Sequence, residues 1–128
     1  MYIAANRRAA NRYADVLHNS SLGEESPHRL IQMLMEGFLA RVNSAKGAMA
    51  HKDFEAKSRY ITHAMTITSG LNDALDLEKG GELAGNLRSL YAYINQRLLE
   101  ASVEINQEKL DEAAALMREI KTAWDAIA

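Results

Sequence analysis

Apolar residues recur at steps of three and four along most of the chain, which is the spacing of amphipathic helices. The segment from Pro27 to Met49 carries one such stripe, made of Ile31, Leu34, Phe38, Val42, Ala45 and Met49. A second stripe beside it consists of Leu30, Met33, Gly37, Ala40 and Ala48. A helix of a small bundle needs only one buried stripe, so we expect the second to be covered by the same chain or by a partner.

The pattern predicts four long helices, over about residues 26–51, 53–78, 82–105 and 108–127. Ser26 before Pro27 is a strong helix start, because serine caps free amides and proline at the first helical position loses no hydrogen bond. Asp53 is the next predicted N-cap, and Gly80-Gly81 is expected to form the turn before the third helix. Short connections between long helices predict an all-α, antiparallel up-down four-helix bundle, a single domain over residues 1–128.

The other three predicted helices each carry an apolar stripe that is expected to face the core. The second helix has Phe54, Ile61, Ala64, Thr68, Leu71 and Leu75. The third has Leu83, Leu87, Leu90, Ile94, Leu98, Ala101 and Ile105. The fourth has a seam of heptad type, made of Leu110, Ala113, Met117, Ile120, Trp124 and Ile127.

The first 18 residues are patterned more weakly, so we predict a short, marginally helical N-terminal segment over residues 1–18. This segment is basic through Arg7, Arg8 and Arg12, whereas residues 100–128 have an excess of acidic side chains. Two solvated faces would explain the asymmetry. Alternatively, the basic segment docks on the acidic end of the bundle.

Composition excludes several classes of protein. The chain has no cysteine, so it has neither a disulfide nor a thiolate metal site, and this fits a cytoplasmic protein. No apolar run approaches the roughly 18 residues of a membrane span, and the N-terminus does not have the pattern of a secretion signal. The net charge of −2 argues against nucleic-acid binding. We therefore expect a soluble protein that inserts in no membrane.

The titratable residues form no recognisable catalytic or metal-binding pattern. Glu25 and His28 have the Glu-x-x-His spacing of di-iron bundles, but the pair straddles Pro27 and has no second copy. We expect no enzymatic activity, no cofactor and no metal. One alternative keeps a chemical role for His63, as the reactive histidine of a phosphotransfer bundle. Another is a homodimer whose second stripes bury each other.

Several segments, taken in order, carry a family resemblance. They are Met1-Tyr2 with Tyr13, the run SPHRLIQMLMEG from Ser26 to Gly37, Asp53, the run LYAYINQRLLEA from Leu90 to Ala101, and Trp124. In this order and spacing the chain resembles the flagellar secretion chaperone (FliS) family over essentially its whole length. It departs from the family pattern at Met35, where an aromatic residue is common, and at Ser102, where an asparagine is common.

The resemblance implies a chaperone of the bacterial cytosol that holds the disordered C-terminal segment of flagellin in apolar grooves. It would prevent premature polymerisation and deliver its client to the cytoplasmic domain of an export-gate membrane protein, acting as a monomer or weak dimer. The predicted groove residues are Leu30, Met33, Leu34, Gly37, Tyr60, Ile67, Leu90, Tyr91, Tyr93, Ile94 and Leu98. The N-terminal segment would cap a groove through Tyr2, Ile3, Tyr13 and Leu17.

Overall fold

The computed structural model describes residues 26–127. Within this range it has four α-helices, α1 (Pro27–Ala50), α2 (Phe54–Asp73), α3 (Leu77–Glu104) and α4 (Gln107–Asp125). The predicted all-α bundle is confirmed. The cap segment predicted over residues 1–18 lies outside the described residues.

The four helices pack as a square. Helix α1 contacts α2 and α4, and α3 contacts the same two helices from the opposite corner. Because the connections are only two or three residues long, consecutive helices run antiparallel. We call the end of the bundle that holds Pro27, Asp73, Leu77 and Asp125 the proximal end, and the opposite end the distal end. The chain therefore enters α1 and leaves α4 at the same, proximal, end.

Each helix begins at a polar side chain that caps its free amides. Ser26, Asp53, Asp76 and Asn106 each accept a hydrogen bond from the backbone N–H three residues further on, at 3.0–3.4 Å. These bonds satisfy donors that have no partner within the helix. The first two caps agree with the sequence prediction.

The connection between α2 and α3 lies earlier in the chain than the sequence predicted. Helix α2 ends at Asp73, and α3 begins at Leu77 behind the Asp76 cap. The predicted break at the glycine pair is nevertheless present inside α3. Gly81, at φ 52° and ψ −130°, separates the first turn of α3 from the regular helix that continues from residue 82. Only glycine adopts this conformation without steric cost, so the capping aspartate fixes the start of the helix and Gly81 provides a kink within it.

The core consists mainly of the predicted stripes. The whole first stripe of α1 is buried, as are the α4 positions from Leu110 to Trp124 that were assigned to the seam. Met35 is also fully buried, although the spacing had not placed it in the core. Four predicted core residues are instead exposed by 43–53%, namely Phe54, Leu83, Ile105 and Ile127. All four lie near helix ends, where a neighbouring helix covers the stripe least.

A buried lysine ties two helices together at the distal end. Lys57 is only 6% exposed, and its Nζ donates to the Ser102 backbone oxygen at 2.8 Å and to Ser102 Oγ at 3.3 Å. The charge also lies 5.8 Å from the centre of the Phe54 ring. These contacts give a buried cation the partners it needs and close the last turn of α3 against the start of α2.

Candidate functional site

An apolar groove opens at the proximal end, between the start of α3 and the end of α4. Its volume is about 430 Å³, within the range of ligand-binding clefts. We call it the α3–α4 groove. It is lined by Leu83, Leu87, Glu119, Ile120, Ala123, Trp124 and Ile127. Glu119 is the one charged residue in this lining, so the groove suits an apolar ligand.

The groove has a buried floor and an exposed rim. Ile120 and Trp124 are 8% and 6% exposed, whereas Leu83 and Ile127 are 53% and 48% exposed. Covering the two rim side chains would remove apolar surface from water, which is favourable by about 25 cal/mol per Å². The rim therefore provides a driving force for docking, and the floor provides a surface that is already packed.

Trp124 is held in place by the first turn of α1. Its indole N–H donates to the His28 backbone oxygen at 3.0 Å, and His28 Nε2 lies 2.8 Å from the Trp124 backbone oxygen. The two rings are stacked, with centroids 4.7 Å apart and planes 15° from parallel. One turn further on, Gln32 Nε2 donates to Asp125 Oδ1 at 2.8 Å. The last turn of α4, which forms one wall of the groove, is thus fastened to α1.

Four of the predicted groove residues belong to the core instead. Leu34 is 9% exposed, Tyr91 1%, and Ile94 and Leu98 are completely buried. They cannot line an open groove in this structure. The physical reason is that core and surface stripes lie side by side on the same helix. A rotation of the helix about its axis by one residue position changes which stripe faces the core. Burial also raises the pKa of Tyr91 well above its usual value, so its hydroxyl stays neutral.

Most of the remaining predicted groove residues are half-buried along the sides of the bundle. This set consists of Leu30, Met33, Gly37, Tyr60, Ile67 and Leu90. Gly37 and Ile67 show that α1 and α2 contribute to one continuous surface, because a Cβ atom at Gly37 would lie 3.6 Å from Ile67 Cδ1. These residues leave part of their apolar surface accessible along the sides of the bundle.

Tyr93 belongs to a charged network rather than to an apolar surface. Its hydroxyl accepts a hydrogen bond from Arg97 Nε at 2.8 Å and donates to Glu112 Oε2 at 3.0 Å. The Arg97 guanidinium also lies 4.9 Å from the centre of the tyrosine ring. Arg97 extends this network to Glu100 at 2.8 Å. The network joins α3 to α4 below the groove, towards the distal end.

Sequence reasoning placed the lining of the α3–α4 groove in the core. The periodicity predicts stripe or seam positions for Leu83, Leu87, Ile120, Trp124 and Ile127 and does not include Ala123. A helical stripe does not show where the neighbouring helix ceases to cover it. Two signals in the sequence indicate that this end differs from the middle of the bundle. They are the glycine pair at residues 80 and 81, which only Glu82 separates from Leu83, and the continuation of the α4 seam to Ile127.

The other features to be examined between residues 26 and 127 are a metal site, the surroundings of His63 and a membrane-spanning helix. No group of three or more histidine, aspartate or glutamate side chains in that range could hold a metal ion. His63 is exposed on α2, and Arg59, which is also exposed, lies about one helical turn before it. None of the described helices is long and apolar enough to cross a membrane. The predicted cap residues Tyr2, Ile3, Tyr13 and Leu17 lie outside the described part of the chain.

The family model and the relatives that match this chain all point to one protein family. The model of the flagellar protein FliS matches residues 9–128. The flagellar secretion chaperone FliSB of Pseudomonas aeruginosa is 44% identical over 94% of this chain and 95% of its own length. The flagellar secretion chaperones FliS of Salmonella typhimurium and Vibrio cholerae are 37% and 34% identical, over 99% and 94% of this chain and 93% and 89% of their own lengths. The chain therefore belongs to the FliS family, which consists of flagellar secretion chaperones and not of enzymes.

Proposed function

We propose that the α3–α4 groove is a client-binding site and that its client is the disordered C-terminal segment of flagellin. The observation that carries the proposal is the open apolar groove with its exposed Leu83 and Ile127. A client segment that folds into an amphipathic helix would place anchors at positions i, i+3, i+4 and i+7 in such a groove. A role as a flagellar export chaperone requires a surface of this kind.

The energetics favour a client that extends beyond the groove. Each 100 Å² of apolar surface that it covers contributes about 2.5 kcal/mol. A disordered segment loses at least about 2–5 kcal/mol when it becomes ordered, so a short contact gives little net affinity. The half-buried residues of α1 and α2, among them Met33, Tyr60 and Ile67, offer the additional surface that a wrapping client needs.

We propose that residues 1–18 compete with the client for the groove. The chain enters α1 at the proximal end, beside the groove, so the preceding segment is tethered close to it. Its apolar side chains (Tyr2, Ile3, Tyr13 and Leu17) suit an apolar lining, and its arginines are complementary in charge to the acidic Glu119 of that lining. A tethered segment has a high effective concentration and protects the groove until the client displaces it.

In this proposal the bound client cannot polymerise, because the segment that filament assembly needs is covered. The complex forms in the cytosol with one client per chaperone, and the chaperone delivers flagellin to the cytoplasmic domain of the export-gate protein. The free chaperone is a monomer or weak dimer, since the half-buried stripes leave only a modest apolar surface for self-association.

Calorimetric titration of the full chain with the C-terminal segment of flagellin from the same bacterium tests the proposal. We expect one-to-one binding, a negative heat-capacity change and a gain of helical circular dichroism, since the client buries apolar surface and folds. A flagellin segment of equal length from the N-terminal end is the matched control. Equal binding of both segments, or of neither, would contradict the proposed client.

A deletion of residues 1–18 separately tests the cap. We expect the truncated chain to bind the C-terminal segment more tightly, because no internal competitor must be displaced, or to become less soluble as the groove is exposed. Unchanged affinity together with unchanged solubility would show that these residues do not cover the groove.

A further inference from the structure

His28 stands out because it contacts a groove wall from outside the groove. It belongs to α1, whereas the groove lies between α3 and α4, and 96 residues separate it from Trp124. Three contacts nevertheless join the two residues, namely two hydrogen bonds in opposite directions and a ring stack. A carbonyl oxygen can only accept, so the hydrogen must be on Nε2 of His28.

We propose that His28 is a positioning residue that sets the shape of the client groove by fixing the indole of Trp124. The inference rests on the proposed function of the groove. Trp124 forms part of the groove lining, is 6% exposed and lies in the last full turn of α4. A helix end would fray if nothing held it. The bonds to His28 keep this turn, and with it the apolar wall, in the geometry that a client helix must match.

A positioning residue affects client binding, whereas a residue that only stabilises the fold does not. A change that only weakens the fold leaves the measured Kd unchanged as long as nearly all molecules remain folded, because typical folding stabilities exceed the loss. A change that lets the indole move must weaken binding, since the client then pays for ordering the wall. Affinity and the environment of the indole therefore report the positioning role, whereas the denaturation midpoint does not.

The test uses the full chain with the substitutions His28→Ala and His28→Gln. The glutamine variant keeps an N–H donor near the place of Nε2 but removes the stacked ring, so it should restore part of the function. Lys57→Ala is the control, because it removes a cross-helix contact at the distal end, away from the groove. The readouts are calorimetric titration with the C-terminal flagellin segment and acrylamide quenching of the indole, which is the single tryptophan of the chain.

We expect His28→Ala to raise the Kd at least about fivefold and to make Trp124 more accessible to the quencher. The glutamine variant should lie between it and the wild type, and Lys57→Ala should bind and quench as the wild type does. Wild-type affinity in His28→Ala, or an equal loss in Lys57→Ala, would overturn the proposal. If the wild-type chain binds no flagellin segment, the proposed function fails. The quenching measurement still tests the positioning role in that case, because unchanged quenching in His28→Ala would show that His28 does not fix Trp124.

Discussion

Replacing Leu83 by alanine tests the α3–α4 groove with a magnitude that follows from the structure. Fully burying a leucine side chain contributes about 1.5–3 kcal/mol. Leu83 is 53% exposed in the free protein, so a docked client gains roughly half of that amount, about 1 kcal/mol, by covering it. A loss of about 1 kcal/mol raises the Kd about fivefold. Calorimetric titration with the C-terminal flagellin segment measures this change directly.

Leu99 provides a closely matched control for this substitution. It lies on the same helix and is exposed to almost the same extent, 54%, but it is not part of the groove lining. Leu99→Ala should therefore leave the Kd unchanged, and both variants should unfold in urea close to the wild type because neither side chain is buried. Equal losses of affinity would show that the client does not discriminate between the two surfaces. No loss in Leu83→Ala would remove the groove from the binding site.

Three further predictions concern the fold. Gly81→Ala should destabilise the protein by about 1–3 kcal/mol in urea denaturation, because φ 52° with ψ −130° strains any residue other than glycine. Gly85→Ala should instead stabilise it by about 0.5–1 kcal/mol, because a Cβ atom there meets open space within a helix. Lys57→Ala should cost about 1–3 kcal/mol by leaving the Ser102 carbonyl unpaired, and Ser102→Ala should cost less because that carbonyl remains bonded. Lys109 Nζ donates a hydrogen bond to Glu100 Oε1 at 2.9 Å, and this bond lowers the pKa of Glu100 below its usual 4.5. The contribution of Glu100 to stability is therefore present above the unfolded-state pKa and lost as the pH falls through the lower folded-state pKa. Glu100→Gln should reduce the fall in stability, measured by urea midpoints, as the pH is lowered below about 4.5.

Local chemistry made the helices and most of the core predictable. The Ser26 and Asp53 caps lie where the sequence placed them, because a cap depends only on a side chain and the amides two or three residues away. The first stripe of α1 is fully buried for a similar reason, since its spacing fixes one face of the helix. Two start signals are both used before the long part of α3. Asp76 caps a first turn that the sequence analysis did not predict, and Gly81 separates that turn from the helix that continues from residue 82.

The candidate site was much less predictable. Of the residues proposed for the groove, Tyr91 and Ile94 are core residues, and Tyr93 is engaged with charged partners from two helices. Whether an apolar side chain is core or groove depends on how far the neighbouring helix extends over it. That extent is a property of helix packing and is not encoded in the periodicity of any one helix.

The sequence by itself determined the class of the fold, the number and direction of the helices between residues 26 and 127, and the family of the chain. Periodicity, caps and motif order are all local or linear properties of the chain. The tertiary structure alone decided that the proximal ends of α3 and α4 leave an apolar groove, and that Trp124 in its wall is fastened to His28. Both features arise from residues that are distant in sequence and adjacent only after the four helices pack. A groove is the surface that packing leaves uncovered, so it exists only once the positions of all the helices are fixed.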